Sequence, residues 1–281
     1  MKKLNNKNHQ TTLSTKLTCL SISLILSITA CTKPSEESPQ NNKQQNKQTV
    51  YRNDFNKDAL GAHFASTWSK VSAACGPDKS QCLKTEYEPS SVGSARQVRK
   101  YPIPPATEYT LQFDVKFDDN FDFKRGGKMH GLGPEHRTTG CKEQSPNGWS
   151  ARIMWRKEGI AELYIYDQTR KANKQICGWS YRTTSPAFIL GKYQALSLYV
   201  KLNQIGHNNG TAELWIDGAL AIHKDQIIYR ENDKESDISQ FLFSTFFGGN
   251  APSWAPKETV FAYYDNFAVH KGKKIRQSSN N

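Results

Sequence analysis

The sequence has almost no stretch in which apolar residues recur at helical spacing, which argues against an all-α or α/β fold. It has no long apolar run either. The best, Leu17–Ile28, is too short and too interrupted for a membrane span. Acidic residues are scarce: 26 Asp and Glu stand against 38 Lys and Arg, a net charge of +12. Such an excess favours an anionic partner without naming one. There is no C-x-x-C pair and no closely spaced histidine pair, so neither a metal site nor a cofactor is expected. No Ser-His-Asp spacing supports a nucleophilic serine, and no internal repeat is present.

What is present begins with a targeting segment. Lys2, Lys3, Lys7 and Lys16 form a basic region ahead of the apolar stretch, so residues 1–30 read as a signal peptide. Ile28-Thr29-Ala30-Cys31 resembles the bacterial lipobox, in which cleavage exposes a cysteine for lipid attachment. Cys31 is the expected lipidation site. Thr32 in place of Asp directs the expectation to an outer-membrane lipoprotein, at the cell surface or in the periplasm. Residues 31–50 are rich in Ser, Pro, Gln, Asn and Lys and read as a flexible tether. The folded domain is expected over 51–270, with a polar tail over 271–281. Loss of the signal lysines leaves +8. Nucleic acid is the common partner of a basic chain. A secreted address points instead to an acidic polysaccharide, with membrane contact through the lipid alone and the chain acting as a monomer.

Beyond Cys19 in the signal and Cys31, four cysteines remain: Cys75, Cys82, Cys141 and Cys177. An even number outside the reducing cytosol implies two disulfides, with three possible connectivities. Cys75–Cys82 would close a short Gly-Pro loop. Cys141–Cys177 would staple the two ends of the region described next.

Strand signals recur along the chain. Tyr109, Leu111, Phe113, Val115 and Phe117 alternate with Thr110, Gln112, Asp114 and Lys116. Leu196, Leu198, Val200 and Leu202 do the same. Asp217-Gly218 marks a hairpin between Thr211–Ile216 and Ala219–His223. Gln240–Phe247 and Phe261–His270 are aromatic-rich strands. The expectation is all-β, a jelly-roll β-sandwich with a concave substrate-binding face.

The most informative stretch is Gly126–Tyr166. Ser150, Arg152, Met154 and Arg156 alternate with Ala151, Ile153 and Trp155. Ile160, Glu162, Tyr164 and Tyr166 alternate with Ala161, Leu163 and Ile165. Lys157-Glu158-Gly159 fits a three-residue hairpin loop. Pairing Arg156 with Ile160 sets Arg152 opposite Tyr164 and Ser150 opposite Tyr166. The apolar set fills a core, so the polar set is not needed for packing. Lys128, behind two glycines, joins the polar surface, and the group suits chemistry on a negatively charged sugar.

These residues resemble polysaccharide lyase family 14, whose members include alginate and glucuronan lyases with a β-jelly-roll fold. The resemblance rests on Gly126-Gly127-Lys128, Gly148-Trp149-Ser150-Ala151-Arg152-x-Met154-Trp155-Arg156 and Tyr164-x-Tyr166. Asn209-Gly210, Leu214–Gly218, Phe243–Gly249 and Asp265-Asn266-Phe267 extend it over roughly Phe113–Val269. It implies catalytic roles for Lys128, Ser150, Arg152, Tyr164 and Tyr166. Family members often carry Leu-Pro after Gly-Gly-Lys, whereas this chain has Met129-His130, and the loop Gly133–Asn147 also differs.

The implied reaction removes the proton at C5 of a uronate and expels the oxygen at C4. Arg152 would hold the substrate carboxylate, whose oxygens gain charge as the proton leaves. Nearby cations would favour tyrosinate at Tyr164 or Tyr166, making one phenol the base and the other the acid; neutral Lys128 is the competing base. Ser150 would position substrate or a phenol. Substrate contacts are expected from Arg96 and Arg99 on an early groove strand, from His130 beside the lysine motif, and from Glu162, which would orient Arg152 or Lys128 or else offset the basic surface. A non-catalytic glycan-binding lipoprotein on the same scaffold is the alternative function.

Overall fold

The computed structural model describes residues 48–232 and 235–277. The signal segment, Cys31 and the tether up to residue 47 lie outside the described residues. The strands are, in chain order, β1 (Thr49–Asn53), β2 (His63–Phe64), β3 (Ser66–Ser72), β4 (Cys82–Tyr87), β5 (Gln97–Ala106), β6 (Glu108–Phe117), β7 (Gly127–Gly133) and β8 (Ser150–Trp155). They continue as β9 (Ala161–Tyr166), β10 (Trp179–Arg182), β11 (Gln194–Lys201), β12 (Gly210–Ile216), β13 (Ala219–Ile227), β14 (Ile238–Phe247) and β15 (Val260–Lys271). One α-helical turn, Thr169–Ala172, follows β9.

Two antiparallel sheets face each other. One runs β13-β12-β11-β6-β15-β4-β3-β2, with β1 also paired to β15. The other runs β10-β9-β8-β7-β14-β5. Alternation drives this arrangement, because period-2 residues fall on one face of a strand. Leu111, Phe113 and Val115 of β6 meet Ile153, Trp155 and Leu163 of β8 and β9 in one buried cluster. The fold is therefore the two-layer sandwich expected of a jelly roll.

The far face of the larger sheet is partly covered. Thr110 donates to the Gly272 carbonyl at 2.7 Å, Gln112 to the Lys274 carbonyl at 2.7 Å, and Arg276 pairs with Asp114 at 2.9 Å. The start of the C-terminal tail is thus pinned across β6, and Thr49–Val50 of the expected tether belong to β1. Ordered structure runs a few residues past both expected domain ends.

The hairpin register follows the turn chemistry. Ser150 pairs with Tyr166, Arg152 with Tyr164 and Trp155 with Ala161. The Arg156 amide donates to the Ile160 carbonyl at 2.8 Å. Glu158 and Gly159 turn the chain at φ of 63° and 76°. Gly127 serves a different need. A Cβ there would meet the Trp155 ring at 2.0 Å, so the glycine lets β7 lie directly on the indole. Both disulfides form with one of the three connectivities, Cys75–Cys82 and Cys141–Cys177.

Candidate active site

The outer face of the smaller sheet carries a groove of about 630 Å³. Its floor is Lys128 of β7, Arg152 and Met154 of β8, and Tyr164 and Tyr166 of β9. Arg96 and Val98 form one wall with Phe246, and Arg137, Cys141 and Cys177 form another. Arg156 and Trp254 also line it. Five cationic side chains line the groove, and among the described residues no carboxylate does.

Lys128 is the unusual group. Its ammonium lies 4.4 Å from the centre of the Tyr164 ring and 3.1 Å from the Met154 sulfur. A thioether is a weak acceptor. Burial, with Arg152 and Arg156 nearby, pushes the amine down to about 7. Burial likewise brings Arg152 down to about 10, with Arg137 adding to the effect. Arg152 Nε is buried and has no hydrogen-bond partner. An unpaired buried donor is costly, and a substrate carboxylate would satisfy it.

The two phenols stand edge to face, ring centres 5.4 Å apart. Each phenolic oxygen accepts a backbone amide. Gly178 donates to Tyr164 at 3.0 Å and Cys141 to Tyr166 at 2.8 Å. Burial, then the neighbouring Tyr166, pushes Tyr164 well above the ordinary tyrosine range. Of the two phenols left open as base or acid, Tyr164 thus suits the acid's part. Desolvation outweighs the cations there, and the phenol keeps its proton.

Other residues take different places from those expected. Ser150 lies opposite Tyr166 on the correct face, but it is fully buried and its hydroxyl donates to the Thr138 carbonyl at 2.9 Å. The loop after β7 roofs it over, so it does not reach the groove. Glu162 is also fully buried; it makes no bond to Arg152, its charge acts on Lys128, and it offsets two arginines. Arg156 grips it with two bonds of 2.7 and 2.6 Å, Ser180 donates at 2.6 Å and Arg182 at 2.5 Å. Burial pushes this carboxyl up, but these donors outweigh it and hold it below its ordinary value. Glu162 thus fixes Arg156 in the groove lining.

His130 is sealed in the core rather than placed in the groove. It stacks on Phe243 at 4.5 Å and meets Phe113 at 4.7 Å edge to face. The Ser244 amide donates to its Nδ1 at 3.2 Å. A bulge is responsible: Lys128 pairs with Met154 and Gly131 with Arg152, so two residues of β7 oppose one of β8. The extra residue moves His130 to the inner face. Arg99 is also absent from the groove. It alternates away from Arg96 and Val98 and lies 5.1 Å over Tyr101. Arg96 does line the groove, 5.6 Å from the Phe246 ring. Trp254 also reaches the groove, whereas Trp179 in β10 donates to Asp167 at 3.1 Å. Arg137 is the groove cation that periodicity missed, because it sits in a loop. The only signal was its place in a loop that departs from the family pattern.

Comparison with known families matches residues 77–267 to the model named Polysaccharide lyase 14. The chain belongs to that family. Membership implies polysaccharide lyase activity and leaves the substrate open. Solved structures agree on the fold. Alginate lyase Aly36B is 23% identical with a TM-score of 0.65, the match covering 82% of this chain and 98% of that one. The PL-14 alginate lyase from Aplysia kurodai is 22% identical, at a TM-score of 0.61, over 80% and 99%. The endo-beta-1,4-glucuronan lyase from the fungus Trichoderma reesei is 15% identical, at a TM-score of 0.54, over 79% and 95%. No curated protein matches the chain.

Proposed function

We propose that the protein cleaves an acidic polyuronate, alginate or glucuronan, by β-elimination in this groove. One observation carries the reading: a lysine brought down to about 7 lies against a phenol that keeps its proton, in a groove lined by cations. Family membership supports it. So does the Aly36B variant solved in complex with alginate trisaccharide.

The steps follow from the chemistry of each group. Arg152, with Arg137 beside it, takes the uronate carboxylate and stabilises the charge that builds on its oxygens. Neutral Lys128 removes the C5 proton. The electron pair of that bond forms the C4–C5 double bond as the C4–O bond breaks. Tyr164 gives its proton to the departing oxygen. The proton on Lys128 then returns to the phenolate, restoring both groups. Tyr166 supports Tyr164 from the side. Ser150 acts only through the roof loop.

A hydrolytic alternative is disfavoured. Such enzymes generally need two carboxyl groups flanking the bond. Among the described residues none lines the groove, and Glu162 is held by three side chains. Product analysis on alginate, glucuronan and other polyuronates separates the readings. Elimination gives ultraviolet-absorbing unsaturated ends and hydrolysis gives saturated ones. A non-catalytic binder leaves the polymer intact, and that result would refute the proposal.

A further inference from the structure

The two phenols share one anchoring arrangement. The amide on Tyr166 belongs to Cys141, and the amide on Tyr164 belongs to Gly178, next to Cys177. Cys141 and Cys177 are bonded to each other, and both line the groove. Two loops far apart in sequence therefore reach the phenols as one joined unit. Each amide donates to its phenolic oxygen, so the hydroxyl proton must point elsewhere.

Arg170 lies behind this unit and takes no part in the reaction. Its guanidinium sits 4.4 Å over the Tyr166 ring. It donates to the Lys142 carbonyl at 3.1 Å, the Cys177 carbonyl at 3.0 Å and the Gln144 side chain at 2.7 Å, and also to the Ile176 carbonyl. Its planar fork thus ties both loops to the helical turn after β9. Opening the disulfide would loosen the loops without releasing them, and the sandwich would stay folded.

Resting on the lyase reading above, we infer that the Cys141–Cys177 disulfide positions the Tyr164 and Tyr166 hydroxyls for catalysis, making turnover dependent on its oxidised state. Reduction by a small dithiol breaks the S–S bond and forms two thiols, while the dithiol closes to its own disulfide. Cys141 is exposed and open to such attack. Of the other disulfide, Cys82 is fully buried in the larger sheet and Cys75 is half-buried. Catalytic geometry is sensitive: displacement by about 1 Å can cost roughly a hundredfold in rate.

The test reduces the native full-length chain with a dithiol, counts the thiols formed, and follows two readouts on the same sample. One is kcat and KM on a short oligouronate. The other is nuclear magnetic resonance of ring-labelled tyrosine, with Tyr164 and Tyr166 assigned from their Phe variants. On opening this bond, kcat should fall about tenfold with KM within about twofold. Both phenol signals should move while the core Tyr109 signal stays, and reoxidation should restore all of these. Cys141→Ser with Cys177→Ser should reproduce the reduced state. Cys75→Ser with Cys82→Ser should keep full kcat until dithiol is added. An unchanged kcat after complete reduction overturns the inference, and so do unmoved Tyr164 and Tyr166 signals. If the oxidised protein leaves every polyuronate uncut, the lyase reading has failed, and the phenol signals alone decide whether the disulfide holds these rings.

Discussion

The two faces of the smaller sheet share strands but not chemistry. On the inner face, Ile153, Trp155, Leu163 and Ile165 are completely buried against the second sheet. On the outer face, residues one position away carry Arg152, Met154, Tyr164 and Tyr166 beside Lys128. The inner set binds the sheets together by burying apolar area. The outer set buries cations with few acceptors, which opposes folding. The contrast separates what the fold needs from what the groove is for. It also implies that the outer face costs stability that an unreactive surface would not.

Substitutions can break this contrast in either direction. The largest effect on activity is expected from Lys128→Met, which keeps the stem and removes the amine. Turnover should fall by about 10²–10⁴, the usual range for a general base. The same change should raise the melting temperature near neutral pH. The unfolded chain holds this proton up to the ordinary lysine range, whereas the folded chain releases it near 7. Native stability therefore rises with pH across that window, and Lys128→Met should flatten the rise. Thermal melts at several pH values check the sign. Tyr164→Phe should lower kcat by about a hundredfold, read in steady-state assays, and lower the melt modestly because the buried Gly178 amide loses its acceptor. Full activity in this variant would remove the phenol from the proton path.

Trp155→Ala strikes the opposite face. Its ring is completely buried beneath Gly127. Loss of about 3–5 kcal/mol in denaturant unfolding is expected, as for other large core residues. His130→Phe is the smallest and the sharpest test of the bulge. An imidazole in the groove would make this variant raise KM. An imidazole in the core should leave kinetics unchanged and shift stability by less than about 1.5 kcal/mol.

The sequence made some of this legible for specific reasons. The β8–β9 register could be read because a loop ending in glycine sits between two alternating runs, and their apolar sets had to share a face. That alone brought Arg152, Tyr164 and Tyr166 together. His130 was misplaced because a single inserted residue reverses parity, and composition carries no mark of it. Arg99 was drawn in by its nearness to Arg96, although odd and even positions of β5 face opposite ways. Ser150 and Glu162 lie on the face that alternation assigned. Their burial depends on Thr138, Ser180 and Arg182, which reach them from elsewhere in the chain. The choice between Tyr164, Tyr166 and Lys128 as base stayed open in the sequence because nearby charge is visible there and desolvation, which raises Tyr164, is not.

The most direct measurement is the growth of ultraviolet absorbance from alginate and glucuronan across a pH series. Activity should appear on at least one polyuronate and rise through about pH 7 as Lys128 loses its proton, since the amine must be neutral to act as base. No absorbance at any pH, or a rate that falls as pH rises through neutrality, would contradict the account.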